Sequence, residues 1–286
     1  VDAATIEEVD TSYAETGNTS IAVLERQDTS RYGAVEVQDR DIVDIVEKPQ
    51  HDEFRLINGG VYAFDGDIFE AIDETTRHAG ELALTDTIEL LLESDRVQAV
   101  EVDGMWVDAT YPWDLLTVAR EVLARGRVVE SARDEQVWVD NSARVHDEAT
   151  LQSPVVIGPD CEIGPDAVIG PNVALGRNTT IGANSVIQHT VLDADTRVDP
   201  SSTLIDTVTG QDVDLGVNTV VPGGPADVQV GTEVFEDQRL GAVIADRAVA
   251  LGDVSFVSGS LVGPNARLAT GVTVNGTVRE GAEVVR

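Results

Sequence analysis

The sequence predicts two unlike halves, an α/β half over residues 1–128 and a parallel β-solenoid over residues 129–286. In the first half, short stretches rich in β-branched residues alternate with helical patterns, as they do in α/β domains. In the second half, a branched aliphatic residue recurs every six positions. A helix repeats about every 3.6 residues and a strand every two, so this period indicates a solenoid instead.

Each element of the first half is predicted from a local pattern. Four stretches are predicted strands because they alternate or run apolar with β-branched residues: NTSIAVLE, GAVEV, DIVDIVEK and GGVYAF. The stretch GDIFEAIDETTR is a predicted helix with Ile68, Phe69 and Ile72 on one face.

Two further helices are predicted before the solenoid. LTDTIELLLES starts with Thr85 or Asp86 as a cap. Its buried face is predicted to hold three residues: Ile88, Leu91 and Leu92. YPWDLLTVAREVLARG has Pro112 in its first turn and ends at Gly126, so this helix is predicted to connect the two halves.

The solenoid pattern begins at Val139 and continues in steps of six through eight further residues: Val145, Leu151, Ile157, Ile163, Ile169, Leu175, Ile181 and Ile187. A second run has the same spacing: Ile244, Ala250, Phe256, Val262, Leu268 and Val274. Each six-residue unit is predicted to form one short strand and a corner, with the aliphatic residue inside. Three units then make a coil, and the coils stack.

This pattern resembles the hexapeptide-repeat left-handed parallel β-helix over residues 137–286, with an interruption near residues 193–243. The resemblance implies the left hand and association as a trimer. Inside the interruption, the stretch VPGGPADVQV is rich in proline and glycine and is predicted to be a loop. It is either an insertion at a corner or a loop that reaches a neighbouring subunit, and the first interpretation is favoured.

The charge of the chain limits its partners. Its 286 residues include 52 acidic and 19 basic side chains, which give a formal net charge of −33. A chain this acidic repels itself at low salt, whereas molar salt shortens the Debye length to roughly 3 Å. Lys48 is the only lysine. We therefore expect a halophilic protein of a salt-rich cytoplasm that binds neither nucleic acid nor membrane.

Other features narrow the class of protein. No run of about 18 apolar residues marks a membrane span. Cys161 is the only cysteine, so a disulfide framework is excluded, and a small buried residue is expected there. The chain begins at Val1 and Met105 is its only methionine, so we expect that the front of a longer protein is missing.

Four motifs follow one another in the first half: RYGAVEV, IVEKP, NGGVYAF and GMWVDATYPWDLL. In this order they resemble the C-terminal half of sugar-1-phosphate nucleotidyltransferases. That family includes glucose-1-phosphate thymidylyltransferases and bifunctional N-acetylglucosamine-1-phosphate uridylyltransferases. The resemblance implies that residues 1–128 are part of a Rossmann-like nucleotidyltransferase domain that uses a nucleoside triphosphate, a sugar 1-phosphate and Mg²⁺.

The resemblance also implies roles for individual residues. Lys48 is the expected catalytic contact to the sugar phosphate, because an ammonium group is a compact positive charge. Asp108 is the expected Mg²⁺ ligand. Four residues are expected to bind the sugar: Gly33, Glu47, Asn58 and Gly60. Glu47 offers a carboxylate acceptor and Asn58 an amide, and the glycines allow the backbone to approach the sugar closely.

Each of these motifs also has a structural interpretation. Glu47 and Lys48 can form the end of a surface strand that Pro49 stops. Asn58 can belong to a simple turn, and Asp108 can be a loop acid or a helix cap. Lys48 argues for the functional interpretation, because lysine has otherwise been replaced throughout the chain.

Two departures from the family pattern bear on activity. The glycine-rich loop for the triphosphate and a second Mg²⁺-binding aspartate do not occur in this sequence, so we expect that the chain as given does not transfer a nucleotide. Thr110 stands where the family pattern after tryptophan has glycine. A β-branched residue is costly there if that position needs a positive φ.

Two further functions remain open. Hexapeptide solenoids often transfer an acetyl group from acetyl-CoA with a histidine as general base, for which His189 is the candidate and Arg239 a coenzyme contact. In the bifunctional relatives the catalytic histidine aligns with Pro200 here, which weakens this alternative. The third hypothesis is a non-catalytic homologue that oligomerises and regulates.

Overall fold

The structure is a computed structural model that describes residues 1–26, 29, 32–47, 49, 55–77, 82–94 and 96–285. It contains two compact units, Val1–Trp106 and Val107–Arg286. The first unit has the predicted α/β composition and the second contains the predicted parallel solenoid. The domain boundary after residue 128 stays a prediction.

The first unit contains three helices and five strands among its described residues. The helices are α1 (Ala3–Thr16), α2 (Ile68–Glu74) and α3 (Leu84–Ser94). The strands are β1 (Ser20–Glu25), β2 (Gly33–Gln38), β3 (Asp41–Glu47), β4 (Leu56–Ala63) and β5 (Gln98–Glu101). They close on themselves in the order β1-β4-β2-β3-β5, with β1 antiparallel to β4 and parallel to β5. All four predicted strands are confirmed.

Helix α3 buries Ile88 and Leu91 as predicted, and its first helical residue is Leu84, so Thr85 lies inside the first turn. Helix α2 differs from the prediction, because Phe69 is 71% exposed and Ile72 is 37% exposed. Ile68 is buried as predicted, and the other inward residue of α2 is Ala71; both pack in the same core as α3.

A buried hydrogen bond accounts for the orientation of α2. The hydroxyl groups of Thr75, just after α2, and Thr87, in α3, lie 2.8 Å apart. Ile68, Ala71 and Thr75 are spaced by three and four residues, so they share one face of the helix. This face meets α3, and Phe69 is left on the outside.

The second unit begins with a turn and the helix α4 (Asp114–Ala124), which packs on the first sheet of the solenoid. Pro112 precedes this helix, and the Asp114 carboxylate accepts a hydrogen bond of 2.7 Å from the Tyr111 N–H. The chain leaves the helix at Gly126, whose φ of 62° suits glycine.

The solenoid has three parallel sheets. The first contains nine strands, of which the outermost is antiparallel: Ala132–Asp134, Val137–Val139, Val155–Ile157, Val173–Leu175, Thr190–Leu192, Thr207–Thr209, Ala242–Ile244, Ser260–Val262 and Thr277–Val278. The second contains eight: Arg144–Val145, Glu162–Ile163, Thr180–Ile181, Arg197–Val198, Asp214–Leu215, Val249–Ala250, Arg267–Leu268 and Glu283–Val284. The third contains seven: Thr150–Leu151, Val168–Ile169, Val186–Gln188, Thr203–Ile205, Val220–Val221, Ser255–Phe256 and Thr273–Val274.

The interior of the solenoid confirms the six-residue pattern. Aliphatic residues from Ile157 to Ile187 point inward, and so do the small residues four positions later, such as Cys161 and Ser185. Burial raises the pKa of the Cys161 thiol. Aspartate or asparagine occupies corners with φ between 56° and 59°: Asp160, Asp166, Asn172, Asn178 and Asn184. These residue types tolerate the left-handed conformation better than others.

The predicted interruption over residues 193–243 is wrong in extent. Val155 pairs with Val173, 18 residues later, whereas Val173 pairs with Thr190, only 17 residues later. The coils therefore continue through Val221, but each has one corner that is shorter by one residue. This shift moves the aliphatic positions out of the six-residue register and hides the coils in the sequence.

The remaining interruption is a β-hairpin rather than a plain loop. Its strands are Pro225–Val230 and Glu233–Arg239. Phe235 packs against Tyr111 and Trp113, with ring centroids 4.6 and 5.6 Å apart. The hairpin thus covers the start of α4 in its own chain. No helix in the described part of the chain is long and apolar enough to cross a membrane.

Candidate functional site

Three of the predicted sugar-binding residues lie together on adjacent strands of the first unit. Gly33 begins β2 and pairs with Glu47, the last residue of β3, while Asn58 lies on β4. A Cβ atom at Gly33 would lie 3.3 Å from Glu47 Oε2 and 3.6 Å from Asn58 Cβ. Glycine at this position therefore lets the Glu47 carboxylate and the Asn58 side chain come close to the backbone of β2.

The Asn58 side chain is held by two hydrogen bonds. Its Nδ2 donates to the Tyr62 hydroxyl at 2.7 Å, and its Oδ1 accepts from the Gly60 N–H at 3.0 Å. Gly60 has a φ of 72°, which favours glycine, and it lies in a bulge of β4 opposite Ala22. The amide keeps one donor and one acceptor position for a ligand.

Tyr62 adds a neutral hydroxyl to this group. Burial raises the pKa of the Tyr62 phenol, the hydrogen bond from Asn58 lowers it, and the negative charge of Glu47 raises it. The net direction is upward, so the phenol stays protonated at neutral pH. Because its oxygen accepts from Asn58, its proton is left to donate to another acceptor.

Thr85 also belongs to this group, although the sequence did not predict it as a binding residue. Its Cγ2 is 3.2 Å from the position of a Cβ at Gly33, and the residue is only 8% exposed. Its hydroxyl oxygen is buried without a hydrogen-bond partner among the described residues. A buried hydroxyl without a partner costs free energy, which makes it a candidate for contact with a ligand. The sequence offered Thr85 only as a helix cap.

The two remaining predicted residues, Lys48 and Asp108, do not belong to the described part of the first unit. Lys48 lies outside the described residues. Asp108 belongs to the second unit, is exposed, and accepts a hydrogen bond of 2.9 Å from the Thr110 hydroxyl. Thr110 is not among the residues with positive φ, so the strain considered from the sequence does not arise. The described residues contain no group of three or more side chains suited to hold a metal ion.

Trp106 fastens the end of the first unit to the bulge of β4. Its indole N–H donates to the Gly59 carbonyl at 2.9 Å. The Tyr32 ring meets it edge-on at 5.3 Å, and the Arg26 guanidinium lies 5.2 Å from its ring centroid. These contacts hold the last residue of the first unit in place.

His189 lies at a shortened corner of the solenoid, beside the buried side chain of Asp206. Its Nδ1 is 3.5 Å from Asp206 Oδ1 and 3.4 Å from Arg239 Nη2. Arg239 Nε donates to the same carboxylate oxygen at the shorter distance of 3.1 Å. Pro200, the position expected to align with a catalytic histidine, is exposed at another corner.

Comparison with known proteins agrees with this architecture. Residues 3–125 match the nucleotidyl transferase family, and residues 154–189 match the bacterial transferase hexapeptide family of six repeats. The chain is therefore built as a nucleotidyltransferase domain followed by a hexapeptide solenoid.

Two archaeal relatives extend the match over most of the chain. The bifunctional protein GlmU of Methanocaldococcus jannaschii is 30% identical over 93% of this chain and 69% of its own length. A bifunctional sugar-1-phosphate nucleotidylyltransferase/acetyltransferase of Sulfurisphaera tokodaii is 30% identical over 83% of this chain and 63% of its own length. The chain belongs to this GlmU family, and it spans about two thirds of the length of these relatives.

Proposed function

We propose that the first unit binds the sugar 1-phosphate in Mg²⁺-dependent nucleotidyl transfer. The observation that carries this proposal is the convergence of Gly33, Glu47, Asn58 and Thr85 on one side of the small barrel. They offer a carboxylate acceptor, an amide and a hydroxyl that has no hydrogen-bond partner among the described residues, and these groups suit a ligand with several hydroxyl groups.

The proposed reaction requires no protein nucleophile. An oxygen of the sugar phosphate attacks the α-phosphorus of a nucleoside triphosphate, and pyrophosphate leaves, so positioning and charge neutralisation supply the catalysis. Lys48 would neutralise the sugar phosphate, and Glu47 would orient the sugar through its hydroxyls. Asp108 fits the role of a Mg²⁺ ligand because it is an exposed carboxylate, and Mg²⁺ when bound neutralises phosphate charge.

Binding of N-acetylglucosamine 1-phosphate tests this proposal without requiring turnover. The titration is done by calorimetry on the full chain in molar KCl, because the acidic composition suits high salt. We expect heat of binding with the sugar 1-phosphate and much weaker binding of the same sugar without phosphate. Equal binding of both sugars, or no binding of either, would contradict the proposal.

Thr85 gives a sharper test of the same site. Thr85→Val keeps the shape of the side chain and removes only the hydroxyl that lacks a partner among the described residues. We expect the free energy of unfolding to stay unchanged or to rise by about 1 kcal/mol, because no hydrogen bond is lost. The affinity for the sugar 1-phosphate is expected to fall about tenfold, measured by the same titration.

Thr87→Val is the matched control for that variant. Thr87 is buried on the same helix, and its hydroxyl bonds to Thr75. This change is expected to lower the free energy of unfolding by about 1 kcal/mol and to leave the affinity unchanged. If Thr85→Val retains full affinity, or if both variants lose affinity equally, Thr85 does not contact the sugar.

We also propose that the chain assembles as a homotrimer through the solenoid. Aliphatic side chains are exposed on adjacent coils of the described solenoid: Val217, Leu251 and Val257. Burial of such residues between copies would remove apolar surface from water. Light scattering in molar KCl is expected to give three times the chain mass, and a monomer at micromolar concentration would exclude the trimer.

The geometry supports acetyl transfer less than nucleotidyl transfer. A carboxylate that accepts a hydrogen bond from a histidine orients it as a general base, but at Asp206 the nearer partner is Arg239. Acetyl transfer with acetyl-CoA is therefore the second candidate, supported by the bifunctional relatives. Release of free coenzyme A from acetyl-CoA in the presence of glucosamine 1-phosphate would support acetyl transfer as the function.

A further inference from the structure

The second unit contains a pocket of about 330 Å³ that the proposed sugar-phosphate site of the first unit does not include. Its lining contains His189 and Arg239, the two residues considered for acetyl transfer, together with Arg120 of α4. One wall is a face of α4 that includes Trp113 and Arg120. The opposite wall is formed by the shortened corners at His189 and Asp206, and Arg239 of the hairpin closes the end. This volume is at the lower end of the range for small-molecule sites, which is roughly 300–1,000 Å³.

We propose that this pocket binds the phosphate group of a small phosphate ester through Arg120, Arg239 and His189. The three side chains come from the helix, the hairpin and a corner of the solenoid, which the fold brings to one cavity. Planar guanidinium groups bind phosphate through two parallel hydrogen bonds, and an imidazole adds a third donor.

Asp206 holds the base of the pocket in place and does not repel an anion as a free carboxylate would. Its side chain is 3% exposed. Oδ2 accepts from the Gly224 N–H at 3.0 Å and Oδ1 accepts from Arg239 Nε at 3.1 Å. The carboxylate is thus compensated by one full positive charge and a backbone donor, and Arg239 Nη2 lies 3.4 Å from His189 Nδ1.

Arg120 adds a second guanidinium group to the pocket. Its guanidinium group lines the pocket on the α4 side. Within the ranges that the structure describes, no carboxylate forms an ion pair with Arg120. The other acid in the lining, Asp114, accepts from the Tyr111 N–H.

High salt makes the proposed site more specific. At molar salt the Debye length is roughly 3 Å, so the overall negative charge of the chain neither repels nor steers an anion over longer distances. Only groups in direct contact with the phosphate then contribute to binding. The loss of one contacting guanidinium should therefore have a measurable effect, whereas the loss of a nearby one should have none.

The test follows the His189 imidazole by nuclear magnetic resonance during titration of the full chain in molar KCl. The chain has four histidines, so His189→Gln assigns the signal. The probes are glucose 6-phosphate, inorganic phosphate and glucose. We expect the His189 resonance to shift when millimolar glucose 6-phosphate is added. The same concentration of glucose should leave it unchanged. A response to inorganic phosphate of equal strength would identify the free anion as the ligand.

Two arginine variants on α4 decide the outcome. Arg120→Gln is expected to raise the dissociation constant about tenfold. Arg125→Gln is the control, because Arg125 is exposed at the end of the same helix, pairs with Glu121 at 3.5 Å and lies outside the pocket. The proposal is overturned if neither phosphate compound shifts the His189 signal, or if the two variants change the dissociation constant equally.

Discussion

Replacement of Glu47 by alanine is expected to weaken the binding of N-acetylglucosamine 1-phosphate by about ten- to hundredfold. The carboxylate lies opposite Gly33 and close to Asn58, and a hydrogen bond to a charged group contributes about 1.5–3 kcal/mol. Calorimetric titration of the variant in molar KCl measures the change. Folding should be preserved, because Glu47 is exposed at a strand end.

Glu36→Ala is the control for the loss of one negative charge. Glu36 is exposed on β2 of the same hairpin and lies three residues along the strand from Gly33. This variant should bind the sugar 1-phosphate as the parent does. Unchanged affinity in Glu47→Ala, or an equal loss in both variants, would show that Glu47 does not contact the sugar.

Leu204→Ala is expected to lower the free energy of unfolding of the solenoid by about 2–5 kcal/mol, as large-to-small changes in packed cores do. Leu204 is 0% exposed and lies in a coil of 17 residues, within the region that the sequence predicts to be interrupted. Chemical denaturation, monitored through a spectroscopic signal of the solenoid, measures the loss of unfolding free energy.

The matched control is Leu115→Ala, because Leu115 is 42% exposed on α4 of the same unit. Its expected effect is below about 0.5 kcal/mol, as for most surface changes. A small effect of Leu204→Ala would mean that this coil does not belong to the packed interior. The predicted interruption would then be correct after all.

The regular coils are predictable from sequence because each repeats the six-residue spacing of aliphatic residues. Ile157, Ile163 and Ile169 repeat in register, and all three are buried as expected. The coils after Ile187 are not predictable by the same count, because Leu192 follows after five residues rather than six. The loss of one residue at a corner leaves the fold intact but removes the periodic signal.

Two other differences depend on tertiary contacts that a local pattern does not contain. Ile68, Phe69 and Ile72 fit one helical face, yet the bond between Thr75 and Thr87 determines which side of α2 faces inward. The glycines and prolines of VPGGPADVQV predict a loop. A hairpin forms there because its second strand carries Phe235, which packs against an aromatic pair.

The candidate site is only partly readable from the sequence. Gly33, Glu47 and Asn58 were predicted through the family resemblance, and the structure brings these three together. Thr85 follows from the fold alone, because α3 places a residue distant in sequence beside Gly33. Its signal is a buried hydroxyl without a partner among the described residues, and such a property has no counterpart in the sequence.

The most direct measurement is a crystal structure of the chain soaked with N-acetylglucosamine 1-phosphate. We predict density for the sugar within hydrogen-bond distance of Glu47, Asn58 and the Thr85 hydroxyl. Density for the ligand at any other place, with these three side chains free of it, would contradict the assignment of the first unit as a sugar-phosphate site.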